Sequence, residues 1–119
     1  MLTLSAGGLI VASLYAEYLE EITDDHILET DKGFATYRFM GETVYVVDIF
    51  VLPQFRKDNV ATDLADIIGD LARGRGCKEM MGTVRPTNKK STDSLRVLLG
   101  YGMKLSHIAG ELIVFRKEL

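Results

Sequence analysis

The alternation of apolar and polar positions is clearest in the middle of the chain, where strand character gives way to helix character. Val44–Leu52 is a nearly continuous apolar run rich in β-branched and aromatic residues, and Pro53 ends it because proline cannot donate to a strand ladder. After a polar loop at Gln54–Asn59, the apolar residues from Val60 onward recur at helical spacing with acidic residues between them. This pattern predicts a buried strand, a short basic turn and an amphipathic helix.

The turn between this strand and this helix favours an anion. The first N–H groups of a helix have no intrahelical partners and carry partial positive charge. Arg56 and Lys57 add two basic side chains just before the helix. An ordinary strand-to-helix turn with a solvated charge pair would look the same, so the turn alone leaves both interpretations open.

Upstream of this segment, the pattern predicts one helix and an antiparallel meander of three strands. The expected elements are a short strand at Met1–Leu4, a helix at Leu9–Ile22, and strands at His26–Thr30, Phe34–Met40 and Val44–Leu52. Apolar residues of the helix, including Tyr15 and Tyr18, form adjacent stripes that indicate one buried face, and Ser5 or the following glycines would start it. Gly33 and Gly41 lie in the two turns of the meander, where we expect Gly33 to adopt a positive φ.

Downstream, the pattern predicts a parallel crossover and a closing hairpin. The expected elements are a strand at Cys77–Val84, a loop at Arg85–Lys90, a helix capped by Ser91 or Thr92, and a hairpin of Leu105–Ala109 with Glu111–Lys117. A strand, a helix and a returning strand form a right-handed crossover, which places Cys77–Val84 beside Val44–Leu52. The predicted fold class is therefore α/β (α+β), with a mixed, mostly antiparallel sheet and flanking helices.

Composition narrows the function classes. A chain of 119 residues with 47% hydrophobic content predicts a single domain spanning residues 1–119. A net charge of −3 argues against a nucleic-acid partner, and one cysteine, Cys77, excludes an internal disulfide and suits a reducing, cytoplasmic location. The apolar stretch Leu9–Leu14 lacks a preceding basic region, so no membrane partner is expected. His26 and His107 have no neighbours at metal-ligand spacing, so no metal site is expected either.

The element order and the residues Asp48–Ala61 resemble the GNAT superfamily of N-acetyltransferases, over roughly residues 26–116. That family transfers an acetyl group from acetyl-CoA to an amine, and its turn follows the pattern D-L-Y-V-x-P-x-Y-R-x-x-G-x-G/A. Here Asn59 replaces the first loop glycine and Asp58 precedes it. Asparagine tolerates left-handed backbone, so the loop is expected to form. The resemblance implies that these residues contact acetyl-CoA: Phe50, Val51, Arg56, Lys57, Asp58, Asn59, Val60, Ala61 and Thr62.

The family's second signature lies on the next helix and is less well matched. Alignment on Gly102, just after this helix, puts Leu98 at the family's tyrosine, Ser94 at its small residue and Ser91 at its asparagine. Asn88 lies three residues earlier, so either Asn88 or Ser91 is expected to contact the CoA arm, together with Ser94. In many relatives the tyrosine protonates the departing thiolate, which leucine cannot do. Tyr101, about one turn further on, is the substitute candidate.

For removal of the amine proton, Asp48 is the first candidate. It interrupts an apolar strand, and a carboxylate buried there must be paired, hydrogen-bonded or functional. A purely structural Asp48 fits equally well, and Glu42 and Glu29 are exposed alternatives.

These residues lead to the hypothesis of a direct acetyl transfer to an unidentified amine, small molecule or protein. The alternative is a CoA-binding or partner-binding module without turnover, which Leu98 and Asp58 favour. The family usually has a further strand and helix at the N-terminus. We therefore expect exposed apolar surface near this shortened N-terminus, covered by a second copy in a homodimer.

Overall fold

The computed structural model describes residues 3–5, 8–11 and 13–119, with side chains described from residue 13 onward. Eight strands and three α-helices lie within these residues. The strands are β1 (Thr3–Ser5), β2 (Gly8–Val11), β3 (His26–Thr30), β4 (Gly33–Met40), β5 (Thr43–Val51), β6 (Glu79–Val84), β7 (Lys104–Ala109) and β8 (Leu112–Glu118). The helices are α1 (Leu14–Ile22), α2 (Val60–Gly74) and α3 (Ser91–Gly100).

The described strands form one sheet in the order β1-β2-β3-β4-β5-β6-β8-β7. Neighbouring strands are antiparallel except β5 and β6, which run parallel because α2 crosses over between them. The predicted meander, the crossover and the closing hairpin are therefore confirmed, as is the mixed, mostly antiparallel fold class.

The core lies between α2 and one face of the sheet. Val60, Leu64 and Ile68 of α2 are almost completely buried, as are Val44 of β5 and Met80 of β6. These residues are the predicted apolar positions of the strand and of the helix. Cys77, which precedes β6, is buried as well.

The N-terminal helix is shorter than predicted. Leu9–Val11 belongs to β2, and α1 begins only at Leu14, where the Ser13 side chain accepts a hydrogen bond of 3.0 Å from the Ala16 N–H. The periodicity of these apolar residues fits a helix, but pairing with strands on both sides, β1 and β3, overrides it. The predicted strand at Met1–Leu4 falls partly outside the described residues, and β1 occupies Thr3–Ser5.

The prediction that α1 buries one of its faces is also wrong. No side chain of α1 is buried, and Tyr15 and Tyr18 are 61% and 55% exposed. The helix contacts β3, but its apolar stripe faces away from the core described here.

Gly33, at the start of β4, is required for a different reason from the one predicted. Its φ is not positive, whereas that of Gly41 is +63°. A β-carbon on Gly33 would overlap the Phe50 carbonyl oxygen and lie 2.9 Å from the Val51 α-carbon. The adjoining turn is held by Thr30, whose side-chain oxygen accepts from the Gly33 N–H at 3.2 Å. Close approach of two strands therefore selects glycine here.

Candidate functional site

The two parallel strands separate in the middle of the sheet. β5 and β6 pair only where Thr43–Val46 lies against Glu79–Gly82, although β5 continues to Val51 and β6 to Val84. The remaining lengths are not paired with each other, which leaves an opening between them. This β5–β6 opening places the end of β5 beside a space that none of the described strands fills.

A β-bulge shapes the wall of this opening. The register of β4 and β5 shifts so that Tyr37 lies opposite Val46 while Thr36 lies opposite Asp48. The extra residue, Val47, interrupts the alternation of side chains along β5. As a result Val46 and Ile49, three residues apart, line the same apolar groove.

The apolar groove runs along the opening between α2 and α3. Its lining residues are Val46, Ile49, Ala61, Thr62, Ala65, Met80, Gly82, Val97, Leu98, Tyr101 and Met103. The side chains on the α2 wall are small, whereas those from α3 are large. The free space that remains between them is about 20 Å³.

The turn after β5 is fixed by Arg56. Its Nε donates to the Val51 carbonyl at 2.9 Å, and its guanidinium carbon lies 5.7 Å from the centroid of the Phe50 ring. The Leu52 N–H donates to the Lys32 carbonyl at 2.9 Å. These contacts hold the strand end at the mouth of the opening.

The start of α2 is well suited to an anion. Asn59 has a left-handed backbone, with φ of 59° and ψ of 25°, and its side chain does not cap the helix. The Asp58 N–H donates back to the Phe55 carbonyl at 3.1 Å. Lys57, Asp58 and Asn59 are exposed. Asn59 thus adopts a left-handed conformation that favours glycine, and its side chain leaves the first-turn N–H groups of α2 uncapped.

Asp48 is exposed, which corrects the expectation that it is buried. Because adjacent strand residues point to opposite faces, Asp48 faces away from the groove that Ile49 lines. Its neighbour Thr36 has a buried hydroxyl oxygen with no hydrogen-bond partner among the described residues. The carboxylate therefore lies on the other side of the sheet from α2 and α3, next to the opening.

The two alternative bases differ from each other. Glu42 is exposed, as expected, and its carboxylate lies 3.1 Å from Lys78 Nζ. Glu29 is half-buried and not exposed as expected. Its Oε2 atom is buried and has no hydrogen-bond partner among the described residues.

Tyr101 follows α3 and reaches across to α2. Its hydroxyl donates to Asp66 Oδ1 at 2.7 Å, and burial together with this bond raises the pKa of the phenol. Leu98 lies against β6, since a β-carbon on Gly82 would be 3.0 Å from a Leu98 methyl group. Asp66 was missed by sequence reasoning because it is one of several acidic residues on the polar face of α2.

The polar residues of the second signature lie near the beginning of α3. Asn88 and Ser94 are exposed, and the Ser91 hydroxyl donates to the Pro86 carbonyl at 3.1 Å. Ser91 is the first residue of α3 and not its cap, because Lys90 occupies the cap position with φ of 63°. Since residues that line the groove come from the second half of α3, the structure does not bring Ser91 or Ser94 into that lining.

Among the described residues, no group of three or more His, Cys, Asp and Glu side chains is arranged to hold a metal ion. None of the helices described here has the length and apolar character needed to cross a membrane.

Both the sequence and the fold resemble those of known proteins. Residues 16–101 match the model of the acetyltransferase (GNAT) family. A thialysine N-epsilon-acetyltransferase from Mus musculus is 30% identical over 71 residues, which cover 56% of this chain and 42% of that protein. The chain thus matches less than half the length of this relative.

Solved structures share the fold. The PaiA N-acetyltransferase of Thermoplasma acidophilum, in complex with coenzyme A, has a TM-score of 0.69 at 14% identity, over 87% of this chain and 66% of that one. A Bacillus subtilis acetyltransferase in complex with CoA has a TM-score of 0.65 at 12% identity, over 87% and 83% of the two chains. At these low identities, the solved structures support only the fold. Membership of the family rests on the family model, which matches most of the chain. The chain therefore belongs to the GNAT family of acetyltransferases.

Proposed function

We propose that this protein is an N-acetyltransferase that moves an acetyl group directly from acetyl-CoA to a primary amine. The observation that carries the proposal is the β5–β6 opening, which ends beside the uncapped start of α2. A thin chain ending in phosphates fits such a combination of an open strand edge and a helix N-terminus.

In this proposal the pantetheine arm lies along the end of β5, where Val51 offers backbone groups to the opening, since Phe50 pairs with β4 and its carbonyl oxygen faces Gly33. The pyrophosphate lies at the N–H groups of Val60–Thr62, where the helix dipole favours negative charge. Lys57 is exposed and adds a positive charge to this turn. Arg56 uses Nε to hold Val51, which leaves its terminal nitrogens for a phosphate.

The amine approaches from the other face of the sheet, where Asp48 is exposed. Asp48 takes the proton that makes the amine nucleophilic, and the neutral nitrogen attacks the thioester carbonyl. The C–N bond forms as the C–S bond breaks, and the thiolate leaves with the electron pair. The acylated nitrogen then loses a second proton, and the thiolate gains one, which gives the amide and CoA thiol. Leu98 cannot protonate the thiolate. Tyr101 is the candidate that could protonate the thiolate, but its hydroxyl must first release its hydrogen bond to Asp66.

Calorimetric titration with acetyl-CoA tests the first half of the proposal, and absence of binding at millimolar ligand would overturn it. Lys57→Ala should weaken binding several-fold and reduce its dependence on salt. Lys104→Ala, which removes an exposed lysine on β7, is the matched control and should leave affinity unchanged.

Release of free CoA thiol in the presence of amines tests the second half. Thialysine, the substrate named for the mouse relative, is the first acceptor to assay, followed by polyamines and lysine peptides. Asp48→Asn should lower turnover by roughly 10²-fold or more with little change in CoA affinity. Glu42→Gln, which neutralises the other exposed candidate, should keep full turnover, and the opposite pattern would move the base to Glu42.

A further inference from the structure

The wall that α3 provides for the apolar groove is held in place weakly. No residue of α3 is fully buried, and Val97 and Leu99 are 43% and 54% exposed. Segments with few buried apolar contacts open at low free-energy cost. Leu95 and Leu98 pack against the core, and polar contacts at the C-terminal end of α3 add to this packing in keeping α3 closed.

Those polar contacts converge on Tyr101. The hydroxyl donates to Asp66 of α2 at 2.7 Å, across the groove. The Tyr101 carbonyl accepts from Lys117 Nζ of β8 at 2.9 Å, and this ammonium also lies 4.0 Å from the centre of the ring. The side chain thus joins α3 to α2, while its backbone stays attached to the sheet.

The closed groove is too small for a ligand. Its free space of about 20 Å³ is close to that of one water molecule, whereas small-molecule sites enclose roughly 300–1,000 Å³. The α2 side is already lined by Ala61 and Ala65, so little more room can come from it. Space must come from movement of α3, and the bond between Tyr101 and Asp66 opposes that movement.

We propose that Tyr101 and Asp66 form a latch that keeps α3 closed over the groove, and that the latch opens to admit the pantetheine arm of CoA. The identity of the ligand rests on the proposed function, whereas the latch is a property of the free protein. The two can therefore be tested separately.

Amide hydrogen exchange of the free protein tests the latch. In Tyr101→Phe, which keeps the ring and removes the hydroxyl, the amides of α3 should exchange about tenfold faster, because a hydrogen bond to a charged group is lost. Tyr45→Phe is the matched control, since the Tyr45 and Thr83 hydroxyls are 2.9 Å apart but join two strands and no helix. Exchange of α3 that is no faster in Tyr101→Phe than in Tyr45→Phe would overturn the latch.

Stopped-flow binding of CoA tests its role in ligand entry. Tyr101→Phe should raise the association rate constant up to about tenfold, since the open state becomes more populated. Asp66→Asn keeps an oxygen acceptor and should give a smaller increase. CoA binding at an unchanged rate in Tyr101→Phe would overturn the gating role while leaving the proposed function standing. No binding by the wild-type protein would overturn both the proposed function and that role.

Discussion

Replacement of Gly33 by alanine is the most direct test of how the end of β5 is positioned. The added β-carbon would overlap the Phe50 carbonyl oxygen and lie 2.9 Å from the Val51 α-carbon. Ordinary carbon contacts are about 3.5–4.0 Å, so β4 and β5 would have to separate by roughly 1 Å. Because both neighbours are backbone atoms, no side chain can rotate to relieve the overlap.

The expected loss of stability is about 3 kcal/mol, at the upper end of the range for overpacked sites. For a domain of this size it corresponds to a fall in Tm of roughly 12 °C. Urea unfolding followed by far-ultraviolet circular dichroism would measure the free energy of unfolding.

Gly69→Ala in α2 is the matched control. Gly69 is also buried, but its added β-carbon would lie 3.5 Å or more from three side-chain tips. Higher helix propensity should make this variant more stable by about 0.5–1 kcal/mol. A Gly33→Ala protein as stable as the wild type would refute the close approach of the two strands. If Gly33→Ala folds normally and also binds CoA normally, Phe50 and Val51 do not need the close packing of Gly33 to hold them in position.

Three further outcomes are expected. Asn59→Gly should raise the free energy of unfolding by up to about 1 kcal/mol, and Lys90→Gly should raise it by at least as much. Both residues have a positive φ, and lysine tolerates this conformation less well than asparagine. Urea titration measures both changes, and a lower free energy of unfolding in either variant would contradict the positive φ at that residue. Thr30→Val should lower the free energy of unfolding by about 2–3 kcal/mol. The buried hydroxyl accepts from the Lys32 and Gly33 N–H groups and donates to the Gly33 carbonyl, so a loss below about 0.5 kcal/mol would contradict this role. Because the pKa of Tyr101 is raised in the folded protein, its contribution to stability is fully present below about pH 10 and is lost as pH rises further. Between about pH 8 and 11, the free energy of unfolding should therefore fall less steeply in Tyr101→Phe than in the wild type.

The backbone plan of the site could be predicted from the sequence because local signals and global fold agree there. Pro53 ends a β-branched run, helical spacing starts at Val60, and Asn59 tolerates the left-handed turn between them. The same local rules failed at Leu9–Val11, where the helical period was real but pairing with two strands determined the outcome.

Burial was harder to predict than secondary structure, since it depends on what covers each face of the sheet. An aspartate in an apolar strand implies burial only if both faces are covered, and the face that carries Asp48 leaves it exposed. The bond between Tyr101 and Asp66 links residues 35 positions apart, so no spacing rule could indicate it. Gly33 was recognised as a special position, but only the packing against Phe50 explains why.

The short parallel ladder between β5 and β6 also affects how the chain reaches its native state. On one side of it, β3, β4 and β5 are joined by tight turns, and on the other β7 and β8 form a local hairpin. The pairing of Thr43–Val46 with Glu79–Gly82 closes a loop that contains all of α2, so its entropy cost is larger than that of either hairpin. The two parts of the sheet are therefore expected to assemble as local units first and to join last. The same short ladder that leaves the site open between β5 and β6 is therefore expected to be the last part of the sheet to form.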